Sequence, residues 1–116
     1  MKLTIMSLPP STNQLERMHW AVKKRLRRSV AQELTAAIHD QDEPFVPATT
    51  RRRVTIRVYR PRRFDPDNAI GGLKVLLDAM RDVGLLKNDS PKWLDLGLDQ
   101  RIEKTDCRTE ILVEKF

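Results

Sequence analysis

Apolar residues recur along this chain at two spacings, and the spacings lay out its elements. Leu3, Ile5 and Leu8 predict a short first strand. Pro9-Pro10 ends it, because proline cannot donate to a strand ladder and fixes its own φ. Ser11 followed three residues later by Gln14 fits a capping box. Leu15, Met18, Val22, Leu26, Val30, Leu34, Ala37 and Ile38 then keep helical spacing, which predicts one long amphipathic helix. Asp40 to Thr50, with Pro44 and Pro47, reads as a loop. Val54, Ile56 and Val58 alternate with Thr55, Arg57 and Tyr59, the pattern of a half-buried strand. A second helix is expected between Pro66 and Val83, with Leu73, Leu76, Leu77, Met80 and Val83 on one face and Gly84 as its C′ residue. Leu94, Leu96 and Leu98 alternate again and lead through a turn near Thr105-Asp106 to Ile111 and Val113, which predicts a terminal hairpin. The expected order is β-α-β-α-β-β. This is an α+β domain over residues 1–116, with two helices packed on a small mixed sheet. Short strands favour a homodimer, which buries more apolar surface.

Composition narrows the function classes. The 116 residues carry 22 Lys and Arg against 16 Asp and Glu, a net charge of +6. An acidic partner is expected, and nucleic acid is the commonest. Cys107 is the only cysteine, so an internal disulfide and a Cys-rich zinc module are excluded. No apolar run approaches the ~20 residues of a membrane span, and no secretory leader is evident. No membrane partner and a cytoplasmic location are the expectation.

The richest stretch runs from Arg60 to Asn68. Asp65 and Asp67 stand at the end of a strand, just before a helix, and Asp89 follows that helix in Asn88-Asp89-Ser90-Pro91. Carboxylate clusters suit Mg²⁺ or Mn²⁺, hard ions that take oxygen ligands. The same residues also serve as caps and turns. Asp65 suits an N-cap, Pro66 the first helical position, Asp67 the positive end of the helix dipole, and Asn88 to Pro91 a turn. Arg51, Arg52, Arg53, Arg57, Arg60, Arg62 and Arg63 precede Asp65 with no acid among them, which suits a surface that draws in a polyanion. Alternation puts Arg53, Arg57 and Tyr59 on the solvent face of their strand. The first long helix adds Arg17, Lys23, Lys24, Arg25, Arg27 and Arg28. Trp20 and His19 lie on it too, and partial burial in the core or in an interface is expected for Trp20.

With these residues in view, the sequence resembles the RusA family of Holliday junction resolvases. Leu8-Pro9-Pro10-Ser11-Thr12-Asn13 is similar to the family's N-terminal Pro-Pro-Ser-x-Asn turn. Asp65-Pro66-Asp67-Asn68 matches its Asp-x-Asp-Asn core, and Lys74 to Met80 its Lys-x-x-x-Asp-Ala-Leu helix. Gly84-Leu85 to Asn88-Asp89-Ser90 matches its Gly-(x)-Asp-Asp-x segment, with Asn88 replacing the first aspartate. The spacing from Asn68 to Lys74 is about one helical turn longer than in the best-known members.

The resemblance implies a homodimeric endonuclease that resolves branched DNA with Mg²⁺, for which Mn²⁺ may substitute. Asp65, Asp67 and Asp89 are implied as metal ligands, and these three with Lys74 as the catalytic set. Lys74 would steady charge on the phosphate. Arg17, Lys23, Lys24, Arg57, Arg60, Arg62, Arg63 and Asn68 are the expected DNA contacts, with a four-way junction as the substrate. The alternative is a branched-DNA-binding protein of the same fold that does not cut. Asp78 is expected only as an i, i+4 partner of Lys74.

Overall fold

Each predicted strand forms, and all four join one sheet. The computed structural model describes residues 1–116. Its elements in chain order are β1 (Lys2–Ile5), α1 (Thr12–Arg17), α2 (Trp20–His39), β2 (Arg52–Arg60), α3 (Pro66–Gly71), α4 (Lys74–Asp82), β3 (Leu94–Ile102) and β4 (Arg108–Lys115). The domain is α+β with a mixed four-stranded sheet in the order β1-β4-β2-β3. β2 pairs parallel with β3 and antiparallel with β4, and β1 pairs antiparallel with β4.

The expected terminal hairpin is therefore a correction. β3 and β4 do not pair; they flank β2 on opposite sides. The cause is the connection before β3. Two parallel strands need a crossover, and α3 with α4 supplies it, so β3 arrives parallel to β2 and leaves the other edge to β4.

Both expected helices are also interrupted. The first breaks at Met18, whose φ −75°, ψ 136° is extended, and restarts with His19 as N-cap accepting a hydrogen bond from the Ala21 amide. The second divides at Gly72-Leu73 into α3 and α4. Two of the cap signals are met in full. Ser11 and Gln14 form both bonds of the capping box. After α4, Gly84 takes φ +87°, its amide bonds the Arg81 carbonyl, and the Leu85 amide bonds the Met80 carbonyl. That is a Schellman ending, which wants glycine because a Cβ disfavours positive φ.

All the helices lie on one face of the sheet. Leu3, Ile5, Val54, Ile56, Val58, Ile111 and Val113 point into the core from the strands and meet Val30, Leu34, Leu76, Leu77 and Met80 from α2 and α4. The opposite face carries no layer. There the residues alternating with the core run across the strands as Glu114, Arg53 and Asp95, then Lys2, Leu112, Thr55 and Gly97, then Thr4, Glu110, Arg57 and Asp99, then Arg108, Tyr59 and Arg101. No helix is long and apolar enough to cross a membrane.

Candidate functional site

The segment from Arg60 to Asn68 leaves the carboxyl end of β2, and three other parts of the chain hold it. Arg60 is first. Its Nη2 donates to the Pro9 carbonyl at 2.8 Å, and its guanidinium lies 4.0 Å above the Phe64 ring. Only 8% of the residue is exposed. Arg60 was expected on DNA; it is instead an internal clamp between the Pro9-Pro10 turn and the loop after β2. Burial pulls its guanidinium below the usual arginine range. Gln100 on β3 is second. Its side-chain amide accepts from the Phe64 amide and donates to the Phe64 carbonyl, both at 3.0 Å, as a neighbouring strand would. The third holder is the N-terminal turn. The Asn13 amide donates to Asn68 Oδ1 at 3.1 Å, and Thr12 Oγ1 donates to the Asn68 carbonyl at 3.1 Å.

The glycine pair allows that last contact. A Cβ on Gly72 would stand 1.8 Å from the Pro10 carbonyl oxygen, and one on Gly71 would stand 2.1 Å from Thr12 Oγ1. Only glycine lets α3 approach the turn this closely. Asn68 is thus spent on structure, its carbonyl and side chain both facing the turn.

Asp65 occupies the N-cap position of α3 but makes no side-chain cap bond, and Pro66 and Asp67 fill the first turn as expected. With Arg63, Phe64, Ile70, Leu98, Asp99 and Gln100 it lines an open hollow of about 510 Å³. Asp67 is exposed on α3. Asp89 lies elsewhere, against the start of α4. Lys74 Nζ meets Asp89 Oδ2 at 2.8 Å and Asp78 Oδ1 at 3.0 Å. The hydrogen bond to Asp89, and then that to Asp78, raises the Lys74 ammonium above its usual value. The bond from Lys74 in turn lowers the Asp89 carboxyl. Lys74 therefore stays a cation through the neutral range. Asp78 carries the network on to Arg81 at 3.7 Å and to Arg27 of α2 at 3.9 Å. Arg27 also holds Asp82 with two bonds of 2.6 and 2.7 Å.

The chain thus brings Lys74 to Asp89 and the N-terminal turn to Asp67 and Asn68. It does not bring the three aspartates together. No three Asp, Glu, His or Cys side chains are grouped to hold one metal ion.

No family model and no curated protein matches the chain.

The basic residues divide into bound and free. Acids do balance Arg53 and Arg57 on the solvent face of β2, contrary to the expectation from the uninterrupted run. They come from the strands on either side. Arg53 meets Asp95 at 3.1 Å, and Arg57 meets Asp99 at 2.9 Å and Glu110 at 3.9 Å. At Asp99, burial pushes the carboxyl up, but the bonds from Arg101 and Arg57 outweigh it and leave it lowered. Arg57 is therefore not a free DNA contact. Arg17, Lys23, Lys24, Arg25, Arg28, Arg62 and Arg63 pair with no carboxylate.

Gln100 and Thr12 were missed by sequence reasoning. Thr12 lay inside a recognised motif, but its partner could not be read from spacing. Gln100 gave no local signal, since its role depends on β3 lying beside β2.

Proposed function

We propose that the protein binds branched DNA and cuts it as a Mg²⁺- or Mn²⁺-dependent endonuclease of the RusA type, resolving four-way junctions as a homodimer. One observation carries this reading. Four segments that carry the resemblance meet pairwise. Residues 10–13 seat on residues 67–72, and Lys74 closes on Asp89. The extra turn between Asn68 and Lys74 is absorbed at Gly71-Gly72, where α3 ends and α4 starts. Around them, Arg62 and Arg63 flank Asp65, and Arg17, Lys23 and Lys24 crowd the start of α2, free to take phosphates. Lys74, held charged, suits the stabilisation of extra negative charge on a phosphate. Asp65 and Asp67 stand in no ion pair.

A second reading is favoured by the separation of Asp89 from Asp65 and Asp67. In it, the protein grips branched DNA without cutting. A synthetic four-way junction incubated with Mg²⁺, with Mn²⁺ and with chelator decides between them. Metal-dependent cleavage, abolished by Asp67→Asn with binding kept or tightened, is expected. Tight binding with no cleavage in either metal selects the second reading. Equal affinity for junction and plain duplex removes both.

A further inference from the structure

The break at Met18 has put Trp20 at the first position of α2, and 69% of it is exposed. One of the two tryptophans of this domain is thus in solvent, where partial burial was expected. Trp20, Arg27 and Leu34 are spaced by seven and share one face of α2. Further along, that face packs on α4: Arg27 bonds Asp82, and Leu34 is fully buried. α2 and α4 run in the same sense. Leu26 and Val30 meet Val75 and Leu76 near the start of α4, and Thr35 and Ile38 meet Asp82 and Val83 at its end. Trp20 lies nearly two turns before Leu26, so it projects past the start of α4. That is the end of the helix layer where α1 packs on α3 and where Lys74 begins α4.

Its surroundings are basic. Lys23 and Lys24 follow at i+3 and i+4 on the same side, Arg17 closes α1 just before it, and none of the three is paired with an acid. The His19 ring stands 5.4 Å away, tilted by 36°, with its Nδ1 committed to the Ala21 amide. An exposed indole among unpaired cations matches the two faces of a nucleotide: a flat base to stack and a phosphate to neutralise. A protein partner would have to bury the three cations with the tryptophan.

Building on the proposed branched-DNA reading, we infer that Trp20 is a stacking platform for an unpaired nucleobase, with Lys23 and Lys24 holding its flanking phosphates. A stack of this kind is available where bases are splayed at a branch or on a single strand, and is closed in plain duplex. Trp20 thereby supplies discrimination between branched and plain DNA, separate from the Lys74–Asp89 centre.

The test uses the full chain in chelator, with a four-way junction, a duplex of equal length and oligo-dT as probes. In a Trp93→Phe background Trp20 is the sole tryptophan, and its fluorescence is expected to be quenched by junction and by oligo-dT. Trp20→Ala is expected to lower junction affinity roughly 5- to 150-fold and duplex affinity less than twofold, with Trp20→Phe between parent and Ala. Unchanged fluorescence, or equal junction affinity in Trp20→Ala, overturns the inference. So does a shift from dimer to monomer in sedimentation of Trp20→Ala, which would make Trp20 an interface anchor. Quenching by oligo-dT without any preference for the junction sinks the resolvase reading and keeps the stacking one.

Discussion

Arg60 and Arg62 sit two residues apart in one basic run, yet they do opposite work. Arg60 continues the alternation of Val54, Ile56 and Val58, so its side chain enters the helix-covered side of the sheet and reaches the Pro9 carbonyl. That placement was legible: the phase of the strand put Arg60 with the core residues, but charge composition argued for the surface. Arg62 lies beyond the strand and is exposed. A hydrogen bond to a charged group contributes ~1.5–3 kcal/mol, and the ring of Phe64 adds packing. Arg60→Ala is therefore expected to lower unfolding free energy by about 2–4 kcal/mol, read from urea midpoints. Arg62→Ala should stay within ~0.5 kcal/mol of the parent. Equal urea midpoints for the two variants would remove Arg60 from the frame of the site. The aspartates illustrate the complementary case. Asp65 and Asp67 were placed correctly at the head of a helix, because N-cap and Pro-N1 rules are local. The partner of Asp89 was not predictable from spacing, since it depends on how the chain after α4 folds back.

Between elements, the contact that assembles the site is backbone against backbone. The glycines at 71 and 72 lie inside the stretch expected as one helix. They prove to be the joint between two, pressed on the N-terminal turn. The two positions differ in what a methyl group would strike. At Gly72 the obstacle is the Pro10 carbonyl, which a capped and proline-stiffened turn cannot withdraw. At Gly71 it is the Thr12 hydroxyl, which can rotate away at the loss of its bonds to the Asp67 and Asn68 carbonyls. Overpacking costs ~1–3 kcal/mol, and more where the obstacle is rigid. Gly72→Ala is expected to destabilise by at least that range and Gly71→Ala by about 1 kcal/mol, measured side by side in denaturant. Reversal of that ranking would mean the turn yields more easily than α3 does. Periodicity found each strand and helical stretch, and failed on the terminal hairpin. Strand neighbours are chosen by crossover connections, which the spacing of apolar residues does not encode.

Across the whole molecule, the net charge of +6 is distributed unevenly between two faces. On the open sheet face, Arg53 stands between Asp95 and Glu114 across the strands, and Arg57 between Asp99 and Glu110, so each arginine is flanked by acids. Such a face presents little net field to a polyanion. Seven unpaired cations, Arg17, Lys23, Lys24, Arg25, Arg28, Arg62 and Arg63, lie on α1 and α2 and in the loop after β2, so much of the excess charge resides there. DNA capture should follow this division. For duplex DNA, log affinity falls with log salt by about 0.9 for each phosphate neutralised. Lys23→Ala with Lys24→Ala is expected to flatten that slope by roughly 1–2 and to weaken binding at low salt. Arg53→Gln with Arg57→Gln should leave the slope unchanged within about 0.5, because those guanidiniums are already neutralised by neighbouring strands. Junction affinities measured between about 50 and 200 mM salt read both effects. A flattened slope in the Arg53/Arg57 pair and none in the Lys23/Lys24 pair would move the DNA to the open sheet face. It would also take Trp20 out of the path of the strand.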